Sequence, residues 1–373
     1  MNTMPTRMWW AIVLLYGSLY CRPVAAAVTM SAPTTARVIL RLDPRTNMFR
    51  IQPEYCVTAA ARQHAAADIF IRFLRNGQTG YWGDVALDWP VSASNAVVYA
   101  VALWAAYLNS PVQLTLEACW TGSLSPGVLG HSGAMNYERN FSGAPQTNTW
   151  YQIALANALH GSDLDPVKDD FAMAFSSSFS WYYGTDGNPP PGQVDLVSVV
   201  LHEICHGLGF AGSMNVTVGI GSWGGGTAYP FIYDRFTENG ASNALLDTAL
   251  FPNPSVALRN QLVSGNIFFD GTAANAANGG SRPRLYCPAT WSGGSSYSHL
   301  NNATYDGTSN ALMTSSIAYG EAIHIPGPVT LGLLNDEGWV VVPEPTLVAG
   351  MLGFGMWRWK RSMTKNRQLK TES

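Results

Sequence analysis

Residues 195–210, DLVSVVLHEICHGLGF, constrain this 373-residue chain more than any other stretch. Asp195 is placed to cap a helix, Leu196, Val199, Val200, Ile204 and Leu208 repeat at helical spacing, and Gly207 and Gly209 close it. His202 and His206 stand four residues apart, so both imidazoles leave one face and can meet one ion. Glu203 is displaced about 100° around the helix, too far to share that ion easily but placed to hold a water beside it. Hydrolysis by a Zn²⁺-activated water needs this arrangement, in which the metal acidifies the water, polarises a carbonyl and leaves the proton to the carboxylate. Two histidines leave a tetrahedral site one protein ligand short. The candidates further along are His299, His324, Asp234 and, less naturally, Glu321. Asp234 would complete a His₂-carboxylate site, with an ion pair to Arg235 as its plainer role, and His324 could instead bond backbone.

The rest of the chain reads as an α+β domain. Residues 37–42 and 48–52 predict a strand pair across Asp43-Pro44, and residues 57–75 a helix stopped by Asn76-Gly77. A largely buried helix is expected over 95–108, a strand over 112–120, a short helix over 149–160 and an edge strand over 171–181. Residues 211–229 and 271–281 are rich in Gly, Ala, Asn and Ser and read as loops, which leaves the second half irregular. Between residues 28 and 345 there are 13 Lys and Arg against 23 Asp and Glu, a poor surface for nucleic acid.

Both ends read as export signals. Arg7, the apolar stretch Met8–Tyr20 and the run Ala25-Ala26-Ala27 follow the order of a secretory signal peptide over residues 1–27. Val342-Pro343-Glu344-Pro345, an apolar Gly-containing stretch from Thr346 to Trp357, and the basic residues Arg358, Lys360 and Arg361 resemble the PEP-CTERM sorting signal of Gram-negative bacteria. That resemblance implies processing of 342–373 by an exosortase-type membrane enzyme, membrane contact before processing, and delivery to the outer surface or extracellular matrix. Twelve apolar residues are fewer than the roughly 20 that span a bilayer as a helix. Apart from Cys21, the cysteines Cys56, Cys119, Cys205 and Cys287 form an even set suited to two disulfides, with Cys205 alternatively a free thiol beside a metal.

HEICHGLGF, Ser298-His299-Leu300-Asn301, Ala311-Leu312-Met313-Thr314, Gly327-Pro328-Val329-Thr330-Leu331 and Asp336-Glu337-Gly338-Trp339 together resemble the leishmanolysin-type branch of the metzincin zinc proteases over residues 145–341. The family's compact third histidine would fall at position 212, where this chain has Gly212; in this branch an insertion separates it from the motif. The resemblance implies a metzincin-like catalytic domain over 28–341, with a mixed sheet and active-site helix before an irregular C-terminal part. It makes His299 the third zinc ligand, Met313 the methionine of the turn beneath the metal, Glu203 the general base, and a protein or peptide the substrate.

Secondary roles remain open. Tyr319 is a candidate oxyanion donor or a packed aromatic. Trp181, Tyr182, Tyr183, Trp223 and Trp291 are candidates for a cleft or for core, and His64, His131 and His160 for surface or capping positions. Asp163, Asp165, Asp169 and Asp170 could hold a structural Ca²⁺ but read more simply as a solvated face. No stretch has the surroundings of a cysteine-switch prosegment, Cys56 in PEYCVT included. Two rival readings are a noncatalytic surface or matrix protein that keeps the fold, and a zinc hydrolase of a non-peptide amide. An intact Glu203 speaks against the first.

Overall fold

A computed structural model describes residues 28–31, 37–53 and 67–342. The expected signal peptide, nearly all of the expected sorting signal, Cys56 and His64 lie outside the described residues. The strands that frame the site are β1 (Val28–Ser31), β2 (Val38–Thr46), β3 (Arg50–Ile51), β4 (Ile69–Phe73), β5 (Leu114–Thr121), β6 (Val128–Ala134), β7 (Asn136–Arg139), β8 (Phe171–Ser176), β9 (Ser316–Tyr319) and β10 (Ala322–Ile323). Four helices matter here: α1 (Val91–Tyr107), α2 (Ile153–His160), α3 (Leu196–Leu208) and α4 (Pro328–Glu337).

Six of these strands make one mixed sheet in the order β9-β2-β6-β8-β5-β4. Strands β4, β5 and β8 run parallel, β6 is antiparallel to both of its neighbours, and β9 is parallel to β2. The fold is therefore α+β, as the sequence implies. Several local expectations change, among them the loops expected over 271–281, which holds a helix at Thr272–Ala277, and over 211–229, where Asn215–Thr217 pairs with Ile220–Ser222. Residues 69–73, read as the end of a helix, form β4, because Ile69, Ile71 and Phe73 alternate with the exposed Phe70 and Arg72 at a period of two. The alanines upstream suggested a helical period that does not extend into this segment. Residues 171–176 are no edge strand: all six are buried, with β5 on one side and β6 on the other, which suits a continuous apolar run. The two strands expected to pair with each other instead join different partners, β2 with β6 and β9, and β3 with β10. Helix α2 begins at Ile153 because Tyr151–Gln152 pairs with β7.

Helix α3 occupies the centre of the molecule, and all thirteen of its residues are buried. Asp195 caps it by accepting the Ser198 N–H at 2.8 Å. Helix α1 lies alongside, and its Trp104 indole donates to the Leu201 carbonyl at 2.9 Å. At the far end the Trp339 indole, just beyond α4, donates to the Leu208 carbonyl at 2.7 Å. A glycine is required at 207, since a Cβ there would fall inside the Phe171 ring of β8.

Among the described residues the cysteines form no disulfide. Cys119, Cys205 and Cys287 are free and buried, on β5, on α3 and in the segment leading to His299, each packed as a small apolar side chain. His131 is likewise no surface residue: it is buried on β6 with its Nε2 2.8 Å from Asp84 Oδ2. His160 bonds the Ser142 carbonyl at the end of α2. In the acidic loop Asp163 is exposed and Asp165 and Asp169 are half-buried, Asp169 pairing with Arg72; Asp170 alone departs from a solvated face, being buried and accepting from the Thr115 N–H and Asn157 amide.

Two outcomes follow from this packing. Gly207→Ala should lower stability by about 1–3 kcal/mol through overpacking against Phe171, read as a lower urea midpoint at unchanged slope. Glu321 is pushed up to about 7 by burial, against the Ala318 N–H, which favours the charged form. The fold thus prefers the protonated acid, so its contribution is complete below about pH 4.5 and lost as the pH rises through about 7. Denaturation of the metal-free Glu321→Gln protein across that window should show a smaller fall in stability with pH than the parent.

Candidate metal centre

The imidazoles of His202, His206 and His299 converge in the interior. Their Nε2 atoms lie 2.9 Å apart for His206 and His202, 3.1 Å for His202 and His299, and 3.3 Å for His206 and His299. Tetrahedral ligands at roughly 2.0–2.1 Å from zinc would be spaced by about 3.3–3.4 Å, so the His206–His299 separation matches that spacing and the other two stand slightly inside it. No other group of three such ligand atoms comes together among the described residues.

The tautomers decide what these nitrogens can bind. His202 Nδ1 is 2.6 Å from the Leu312 carbonyl, His206 Nδ1 2.7 Å from the Phe210 carbonyl and His299 Nδ1 2.7 Å from the Ser295 carbonyl. A carbonyl oxygen only accepts, so each Nδ1 carries the proton. Burial holds all three rings neutral, taking His202 down to about 4 and the other two well below the ordinary histidine value. Each Nε2 is therefore a bare lone pair aimed at two others. That arrangement is repulsive on its own and satisfied by a cation, and it is the outer support metal-bound histidines ordinarily receive.

The turn Ala311–Met313 links the ligand segments through its backbone. Leu312 holds His202, and the Met313 carbonyl accepts the Leu300 N–H, next to His299, at 2.7 Å. The Met313 side chain is fully buried. Glu203 is also fully buried, and both carboxylate oxygens lack hydrogen-bond partners. Burial pushes its carboxyl well above the ordinary range; the Leu40 amide approaches from β2 and only partly offsets this.

The other ligand candidates are committed elsewhere. Asp234 is buried and accepts from the Ser213 N–H and hydroxyl, the Phe231 N–H and the Tyr297 hydroxyl. Its expected partner Arg235 turns instead to Thr149 and the Asn148 carbonyl. His324 bonds side chains rather than backbone, with Nε2 2.7 Å from Asp195 Oδ2 and Nδ1 3.0 Å from Gln52. Glu321 accepts from Asn47 and from the Ala318 N–H. Tyr319 packs its ring against the core at the end of β9. Trp181 is core, whereas Trp291 borders a cavity of about 50 Å³ shared with Arg37, Gly212, Ser296 and Ser298. The three carbonyl acceptors had no sequence signal, being backbone groups placed by the fold.

A family model described as SPBPB7E8-like matches residues 163–236. It spans α3 and Asp234 but stops before His299 and Met313. No curated protein and no solved structure matches the chain.

Substitution separates the candidate ligands. His299→Ala should drop bound metal, measured by plasma mass spectrometry after dialysis, from one ion per chain to a small fraction. Asp234→Asn, in protein that still folds, should keep the full ion; the reverse pattern would assign the third ligand to Asp234.

Proposed function

We propose that this chain is an exported zinc-dependent endopeptidase with a metzincin-like catalytic domain. The observation that carries the reading is the convergence of three bare Nε2 atoms beside a buried, unpartnered carboxylate one residue along the helix. Three neutral imidazoles suit zinc, and a three-histidine set leaves a fourth position for water or substrate. A zinc ion held there would supply Lewis acidity to a peptide carbonyl and acidify a water.

The chain's own groups do the rest. Glu203 takes a proton from the attacking water and returns it to the leaving amine. Apart from the approach of the Leu40 amide the buried carboxylate has no competing donor, and a cation nearby would draw its raised pKa back towards the working range. The carbonyls of Leu312, Phe210 and Ser295 keep the imidazoles in the tautomer that presents Nε2. The turn through Met313 holds the His202 and His299 segments in register.

The signal-peptide and PEP-CTERM resemblances support export to the outer surface or matrix of a Gram-negative bacterium, with handling by exosortase-type machinery, as part of this reading. Among the described residues no helix is long and apolar enough to cross a membrane.

Glu203→Gln should retain one zinc per chain and lose at least 100-fold in turnover, the range removal of a general base costs. Internal cleavage of a mixed peptide library by the parent and none by the variant is the expected result. Equal cleavage by both would remove Glu203 from its role, and cleavage by neither would favour a binding protein or a non-peptide amide.

A further inference from the structure

His299 reaches the centre from 93 residues beyond His206, and no helix or strand runs through residues 278–301 to place it. Metal–ligand distances tolerate only about ±0.2 Å. Something outside the local backbone therefore has to fix this segment.

Tyr297, two residues before His299, carries the unusual geometry. Its backbone is left-handed, with φ +76°, a conformation that a bulky side chain adopts only where its surroundings impose it. The side chain is fully buried; its hydroxyl donates to Asp234 Oδ1 at 2.9 Å and lies 2.8 Å from Thr237 Oγ1. The Tyr297 carbonyl accepts the Tyr233 hydroxyl at 2.9 Å, so the residue is tied at two points to the turn Tyr233–Phe236. Tyr297 N–H donates to the Tyr286 carbonyl, and Tyr286 N–H to the His299 carbonyl at 2.8 Å, which carries the constraint to the ligand itself.

The same turn is bound to the exit of α3. Asp234 accepts from the Ser213 N–H at 2.9 Å and from the Ser213 hydroxyl, and Gly212 N–H donates to Ser298 Oγ at 3.1 Å. With the Phe231 N–H and the Tyr297 hydroxyl, four donors fill both oxygens of Asp234. The fit has no slack at Gly212, where a Cβ would fall 2.1 Å from the Tyr297 ring and 2.6 Å from Asp234 Oδ1. The helix that carries His202 and His206 is thus joined, through residues 212 and 213, to the segment that carries His299 by a buried network in which every hydrogen bond restrains the next.

We propose that Tyr297 and Asp234 are positioning residues for the third ligand: the carboxylate, anchored at the exit of α3, fixes the Tyr297 hydroxyl and so sets where His299 stands against His202 and His206. Asp234, a rival for the third ligand on sequence grounds, serves the centre without being a ligand. Outer partners of metal-bound histidines ordinarily reach the ring directly, as the Ser295 carbonyl does for His299; this tie acts through the backbone two residues away. Loosening it weakens binding without removing a ligand, so one ion per chain is kept. The inference rests on the proposed zinc centre, and on the endopeptidase reading only for the centre's purpose.

The test uses the full chain as parent, Tyr297→Phe and Tyr151→Phe. The first variant keeps the ring beside Gly212 and removes only the hydroxyl; the second removes a buried tyrosine hydroxyl that bonds the backbone of Gln146. Zinc affinity is read by competition with a chelator, coordination by the visible absorption of the cobalt(II) form, and fold by the urea midpoint of the metal-free protein. Tyr297→Phe should bind zinc about tenfold to a hundredfold more weakly, the range for loss of an outer partner, and should shift the cobalt bands. Tyr151→Phe should lower the midpoint and leave both metal readouts at parental values. Parental affinity and bands in Tyr297→Phe would overturn the proposal, and so would equal changes in the two variants, which would reduce the hydroxyl to a contribution to stability. Gly212→Ala displaces the Tyr297 ring without removing a polar group. It too should weaken zinc binding and shift the bands; a folded Gly212→Ala protein with parental metal readouts would overturn the proposal independently. Weaker binding and shifted bands in Tyr297→Phe, beside a parent that cleaves no peptide, would keep the positioning role and remove the endopeptidase reading.

Discussion

Each imidazole of the centre donates a hydrogen bond from Nδ1–H to a backbone carbonyl, and the arrangement of the centre depends on those three bonds. With the proton fixed on Nδ1 and burial keeping the ring neutral, Nε2 has no hydrogen to offer and three lone pairs face one another. A buried acceptor without a donor costs about 1–3 kcal/mol. The metal-free fold carries that cost several times over, in Glu203 as well as the histidines. A cation relieves it, which couples metal binding to stability.

The surrounding architecture serves to place those carbonyls. Phe210 lies just past the end of α3, so His206 is held by its own helix terminus. Leu312 and Ser295 lie far along the chain and must be brought in by tertiary packing. Helix α3 can receive them because it is buried on every side, with α1 and the Trp104 indole along its length and Trp339 at its end. Asp195 extends the arrangement, since the carboxylate that caps α3 also receives His324, whose backbone N–H bonds Ile51 of β3. The helix start, the C-terminal segment and β3 are thus joined around two buried side chains.

What was legible in the sequence follows from locality. The cap at Asp195, the apolar period and the spacing of His202, Glu203 and His206 fall within sixteen residues, where helical geometry leaves little freedom. His299 lies 93 residues beyond His206 and carried no spacing signal of its own; only the family resemblance separated it from His324 and Asp234. The misread segments share one cause, which is that strand identity depends on distant neighbours. The run Phe171–Ser176 looks alike as edge or centre until β5 and β6 flank it, and Ile69–Phe73 was hidden by the alanines before it. The place of β2 in the sheet is set by the pairing of Ile39 with His131 and its bond to Gly294, beyond any local pattern.

The most direct measurement is zinc K-edge X-ray absorption of the full-length protein reconstituted with one equivalent of zinc. Three imidazole nitrogens at about 2.0–2.1 Å and a fourth light-atom ligand, with no sulfur despite Cys205 on the same helix, are the expected result. A zinc–sulfur distance of about 2.3 Å, or zinc that fails to bind in a one-to-one ratio, would contradict the assignment of His202, His206 and His299 as the metal centre.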